Sequence, residues 1–149
     1  MVCMLGRNGC GKSTLLRTLA GLQAPLGGEY TIMNTPARAE TMNSQIALVL
    51  TERLSVDNTT IHDVVAMGRY PYTSFLGGLS ESDEEIIAQS LRDVGLYEQM
   101  HTFFNDHSDG EKQRVLIAKA IAQQTPIILL DEPTAHLDLP NRIKVLQLL

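Results

Sequence analysis

Cysteine is scarce in this chain of 149 residues: only Cys3 and Cys10 occur. Two are too few for a disulfide framework and suit a reducing compartment. Cations are in the minority, 12 Lys and Arg against 17 Asp and Glu, for a formal charge of −5. Affinity for a phosphate backbone comes mainly from clustered Lys and Arg that displace counterions, so the composition argues against nucleic acid as a partner. Long apolar runs are also missing. The longest, Met1 to Leu5 and Ile46 to Leu50, have five residues, whereas about 20 are needed to cross a bilayer. The first basic residue, Arg7, follows a short apolar run rather than preceding a longer one, which is not the order of a secretory signal. Together these absences predict a cytosolic chain. No internal repeat or low-complexity tract is present, and the length and a hydrophobic content of 44% suit one domain with an ordinary core.

What is there reads as alternating strands and helices. Val2 to Leu5 is expected to be a buried strand that runs into a glycine-rich loop. A helix follows, with Leu15, Leu16 and Leu19 at helical spacing and Gly21 as its stop. Further strands are expected at Glu29 to Met33 and at Ile46 to Thr51. Thr60 with Asp63 forms a capping-box pattern for a short helix through Ala66, and Gly68 to Leu79, with Pro71, Gly77 and Gly78, reads as a loop. Ser80 to Val94 is the clearest helix, acidic at its start, with Ile87, Leu91 and Val94 on one face. Ser108 with Glu111 opens another that runs to about Gln123, Ile127 to Leu130 is an apolar strand, and a last helix starts at Leu139 or Pro140.

Two motifs carry chemistry. Gly6-Arg7-Asn8-Gly9-Cys10-Gly11-Lys12-Ser13 matches the P-loop pattern G-x-x-x-x-G-K-[ST] between an expected strand and an expected helix. Glycines let successive backbone N–H groups converge on phosphate oxygens, and the dipole of the following helix favours the same charge. Lys12 would reach the β- and γ-phosphates, Ser13 would ligate Mg²⁺, and residues 6–14, Thr14 included, would line the nucleotide. A plain strand-to-helix turn could share the pattern, but a second element weighs against that reading. Asp131-Glu132-Pro133 follows the apolar strand Ile127 to Leu130, at the strand end where open α/β sheets bind ligands. Asp131 would hold the metal and Glu132 would take the proton of an attacking water. The four histidines lack the spacing of a metal set and read as solvated or turn residues. Cys10, at a variable P-loop position, reads as a small filler.

In these motifs the chain resembles an ATP-binding cassette (ABC) ATPase. The P-loop, Ser108-Asp109-Gly110-Glu111-Lys112-Gln113-Arg114 in place of the LSGGQ signature, Asp131-Glu132-Pro133, and Leu137-Asp138 as the D-loop stand in the family's order. The resemblance implies an α/β P-loop NTPase fold: residues 1–52 and 115–149 form the catalytic core, and about 53–114 an inserted helical subdomain with the signature segment. It implies ATP and Mg²⁺ as ligands. It also implies a head-to-tail dimer with a second ABC ATPase subunit, in which Ser108, Gly110, Glu111 and Asp138 face nucleotide held by the partner's P-loop. Three departures stand out: His107 replaces the signature Leu, Asp109 its first Gly and Glu111 its Gln, which brings acidic groups toward polyphosphate. The Q-loop position falls on Glu52, a candidate Mg²⁺ ligand.

Met67-Gly68-Arg69-Tyr70-Pro71-Tyr72, a Gly-Gly turn and an acidic helix resemble the helical subdomain of cassettes serving iron-siderophore, haem and cobalamin importers. In those systems the subdomain receives integral-membrane permease subunits, which makes Tyr70, Tyr72 and Phe75 candidate contacts, and a substrate-binding protein acts upstream. The cassette then sits in the cytoplasm, peripheral to the inner face of the membrane. The aromatic strand that precedes the P-loop strand in such cassettes and the strand that follows the D-loop are not in this sequence. An incomplete sheet is therefore expected, and a fragment of low stability and weak activity. A soluble ABC ATPase of DNA repair or translation would carry coiled-coil insertions or basic patches, and the chain has neither. A nucleotide-binding fragment with weak catalysis is the other reading, favoured by Glu52 and Asp109 and opposed by Glu132.

Overall fold

A computed structural model describes residues 1–7, 9–36, 44–51, 54, 56–73, 78–135 and 137–148. Its first helix, α1 (Lys12–Leu19), ends where Gly21 takes φ 74°. There Gly21 N–H donates to Thr18 O at 3.0 Å and Leu22 N–H to Arg17 O at 2.9 Å, the paired closing bonds of a Schellman stop. The strand expected at Glu29 to Met33 is shorter, because Met33 and Asn34 both take positive φ and turn the chain within two residues. The result is a small antiparallel hairpin, β1 (Thr31–Ile32) with β2 (Thr35–Pro36).

β3 (Ile46–Val49) pairs in parallel with β4 (Ile127–Leu130), Ile46 opposite Ile127 and Val49 opposite Leu130. A parallel pair needs a long crossover, and here it is helical. The crossover holds α2 (Ile61–Ala66), α3 (Glu81–Asp93) and α4 (Asp109–Ala122), and α5 (Leu139–Leu148) follows β4. Ile61, Ile87, Leu91, Phe104, Val115 and Val145 from these segments meet in the main core, each at most 1% exposed. All three crossover helices open on capping boxes: those at Thr60 and Ser108 were expected from the sequence, and Ser80 with Asp83, expected only as an acidic helix start, forms a third. Thr60, Ser80 and Ser108 donate their hydroxyls to Asp63, Asp83 and Glu111 at 2.6, 2.6 and 2.7 Å, and each carboxylate also accepts the cap's own backbone N–H.

Two expectations need correction. The start of the stretch Gly68 to Leu79, read as loop, instead belongs to a 3-10 helix (Met67–Tyr72), whose Arg69 is buried. Arg69 Nε donates to Asp83 Oδ1 at 2.8 Å and Nη1 to Ala122 O at 2.8 Å, and its guanidinium lies 4.2 Å from the centre of the Tyr72 ring. These partners are distant in sequence, so local breakers such as Pro71 hid the element. Val2 to Leu5 is no strand: Val2 is 98% and Leu5 90% exposed. An apolar segment forms a strand only against a ladder partner, and among the described residues β3 and β4 pair with each other.

Candidate nucleotide site

The loop ahead of α1 is shaped by glycine. Gly9 and Gly11 hold φ 80° and 95°, left-handed values that side chains disfavour, and Gly11 caps α1 without any side-chain hydrogen bond. The N–H groups of the first helical turn are thus not taken by a capping side chain, unlike those of α2, α3 and α4. Lys12 folds back along the loop, donating from Nζ to Gly6 O at 2.9 Å and Arg7 O at 3.0 Å. The Cys10 thiol is exposed and sits beside Gly6. Thr14 is exposed, and its carbonyl accepts the Thr18 hydroxyl at 2.9 Å. Asn8 lies outside the described residues.

From the second position of α1, the Ser13 hydroxyl donates to Asp131 Oδ1 at 3.0 Å, across 118 residues of sequence. Asp131 is 5% exposed. Its N–H extends the β3–β4 ladder to Val49 O at 2.9 Å, and its carbonyl accepts the Thr51 hydroxyl at 2.8 Å. Glu132 follows with φ 47°, exposed, in a turn closed by Ala135 N–H to Glu132 O at 2.9 Å. A non-glycine residue in this region costs on the order of 1–3 kcal/mol and persists only where its surroundings over-determine it. Hydroxyl and carboxylate oxygens are the hard donors Mg²⁺ prefers, so the Ser13–Asp131 pair fits that ion. Glu52 lies outside the described residues.

A second group gathers where α4 meets α5. Glu111 is turned back on its own cap, and the Ser108 hydroxyl and N–H hold its carboxyl below the usual range. His107 Nδ1 lies 3.5 Å from Glu111 Oε2. The added acid therefore caps its helix. Gly110 is buried against the Asn141 side chain, where any Cβ would collide with it. Asn141 in turn donates from Nδ2 to Asp138 Oδ1 at 2.7 Å, and the Asp138 carbonyl accepts Arg142 N–H at 3.0 Å. Ser108, Gly110, Glu111 and Asp138 thus share one junction, as Gly6, Lys12, Ser13, Asp131 and Glu132 share the other. Sequence reading missed Thr51 and Asn141, whose roles depend on partners no local pattern reveals. Of the proposed contact aromatics, Tyr70 is 62% exposed, Tyr72 donates its hydroxyl to Gln123 O at 2.8 Å, and Phe75 lies outside the described residues.

Residues 1–135 match the profile of the ABC transporter family. The chain belongs to that family. This ABC cassette is 40% identical over 152 residues to an uncharacterized ABC transporter ATP-binding protein of Methanocaldococcus jannaschii, covering 100% of the chain and 52% of that protein. It is also 40% identical to a probable siderophore transport system ATP-binding protein of Bacillus subtilis, covering 97% and 54%. Among solved structures, an inward-facing metal-chelate type ABC transporter superposes with a TM-score of 0.83 at 35% identity, over 97% of the cassette and 53% of that chain. The cassette spans about half the length of these relatives.

Proposed function

We propose that this ABC cassette binds and hydrolyses ATP as the energy-coupling subunit of an importer for an iron complex of the siderophore type. The observation that carries the ATPase reading is the contact of Ser13 with Asp131, 3.0 Å apart at the mouth of the glycine loop. The siderophore assignment is supported by the Bacillus subtilis relative and the metal-chelate transporter. In this reading the phosphates lie over residues 6–14, met by the N–H groups of the first turn of α1 and by the Lys12 ammonium. Ser13 and Asp131 hold Mg²⁺, with Glu52 as a further candidate ligand; the ion supplies charge neutralisation of the phosphate oxygens. Glu132 accepts a proton from water as the water oxygen bonds to the γ-phosphorus and the bond to the β,γ-bridging oxygen breaks, leaving ADP and inorganic phosphate.

A second copy, facing the first head to tail, would bring Ser108, Gly110, Glu111 and Asp138 to the first copy's nucleotide. Residues 53–114, with Tyr70 on their surface, would receive an integral-membrane permease at the cytoplasmic face, and a substrate-binding protein would act upstream. Titration with a fluorescent ATP analogue, with and without Mg²⁺, tests the reading. Saturable binding is expected in the unaltered chain and in Glu132→Gln, and its loss in Lys12→Ala; turnover, where measurable, is expected to vanish in Glu132→Gln. Equal binding by Lys12→Ala would overturn it.

A further inference from the structure

Thr51 closes the β3–β4 ladder with its side chain. After Asp131 N–H donates to Val49 O at 2.9 Å, the next donor in a regular parallel ladder is the backbone N–H of residue 51, directed at the Asp131 carbonyl. Here the Thr51 hydroxyl reaches that carbonyl, at 2.8 Å across 80 residues of sequence. The carbonyl belongs to the rigid peptide plane that joins Asp131 to Glu132. On one side of this plane the Asp131 carboxylate takes the Ser13 hydroxyl; on the other the chain enters the left-handed turn at Glu132, φ 47°. A strained φ survives only if neighbouring contacts fix the peptides around it. Asp131 N–H and the Asp131 carbonyl are both fixed from the end of β3, the second by a side chain that substitution can remove without altering the backbone.

We propose that Thr51 is a positioning residue for both carboxylates: by holding the peptide between them it aims Asp131 at Ser13 and keeps Glu132 in its turn. This rests on the ATPase reading for its use, though the geometry can be tested separately. Thr51→Val removes the hydroxyl at nearly constant volume, and Thr51→Ser keeps it. Residue-resolved amide exchange on the full chain reads the turn through Ala135 N–H, which donates to Glu132 O. In Thr51→Val, Ala135 is expected to exchange roughly 2- to 10-fold faster, as loss of one hydrogen bond implies, while the amides of α4 keep their rates and Thr51→Ser restores Ala135.

In parallel, Thr51→Val should need several-fold more Mg²⁺ to tighten binding of a fluorescent ATP analogue, with Mg²⁺-free affinity unchanged. Unaltered Ala135 exchange in Thr51→Val would overturn the proposal, and so would an equal acceleration throughout α4, which marks general loosening. Absence of any Mg²⁺-dependent nucleotide binding in the unaltered chain would overturn the ATPase reading instead, while the exchange comparison still decides what Thr51 holds.

Discussion

Gly110 sets two physical effects of similar size against each other. It lies in the first turn of α4, where helix propensity alone favours alanine over glycine by up to about 1 kcal/mol. A methyl group there would enter the space of the Asn141 side chain, and forcing extra volume into a packed contact costs typically about 1–3 kcal/mol. The second effect wins, so Gly110→Ala is expected to lower the melting temperature. Adding Asn141→Ala should recover most of the loss, and thermal melts of the single and double variants check both. Without recovery, the glycine would matter for its backbone alone. Asn141 also donates to Asp138, so this contact makes the signature segment and the D-loop aspartate one unit.

Among the elements, the three capping boxes decide how the helical part responds to acid. The Ser80 hydroxyl and N–H, and then Arg69, hold the Asp83 carboxyl down from its ordinary 3.8 to about 2. Asp63 and Glu111 are lowered in the same direction, chiefly by Thr60 and Ser108. A carboxyl more acidic in the folded chain than in the unfolded one stabilises fully above the unfolded value, and that contribution fades as the pH falls through the folded one. Stability should therefore be level at neutral pH and drop between about pH 4 and 2, the window set by Asp83. Ser80→Ala should cost roughly 1 kcal/mol at pH 7 and move the acid transition upward, because it removes the largest cause of the Asp83 shift. Circular dichroism during acid titration checks both effects. The starts at Thr60 and Ser108 were legible because a cap and its carboxylate stand three residues apart, and the one at Ser80 through its acidic first turn. The 3-10 helix Met67–Tyr72 was not, since Arg69 finds its partners in Asp83, Ala122 and Gln124, 14, 53 and 55 residues away.

At the scale of the whole molecule, burial is uneven. The main core joins α2, α3 and α4 with Val145 of α5, whereas α1 contains no buried residue and the described residues before it are exposed. Opening free energies follow such differences. Native-state hydrogen exchange should find the slowest amides in α2 to α4 and fast exchange in α1, and Mg²⁺ with a nucleotide should slow α1 selectively by binding the folded state. Uniform protection across the chain would contradict this distribution. The glycine loop, the apolar strand with its two acidic residues and the capped helices were written in the sequence by itself, because each depends on residues adjacent or a few positions apart. Only the tertiary structure decided that Ser13 meets Asp131, that Thr51 holds the peptide behind it, and that Val2 to Leu5 pairs with neither described parallel strand. Those outcomes depend on which distant backbone groups arrive side by side, and no local spacing encodes that.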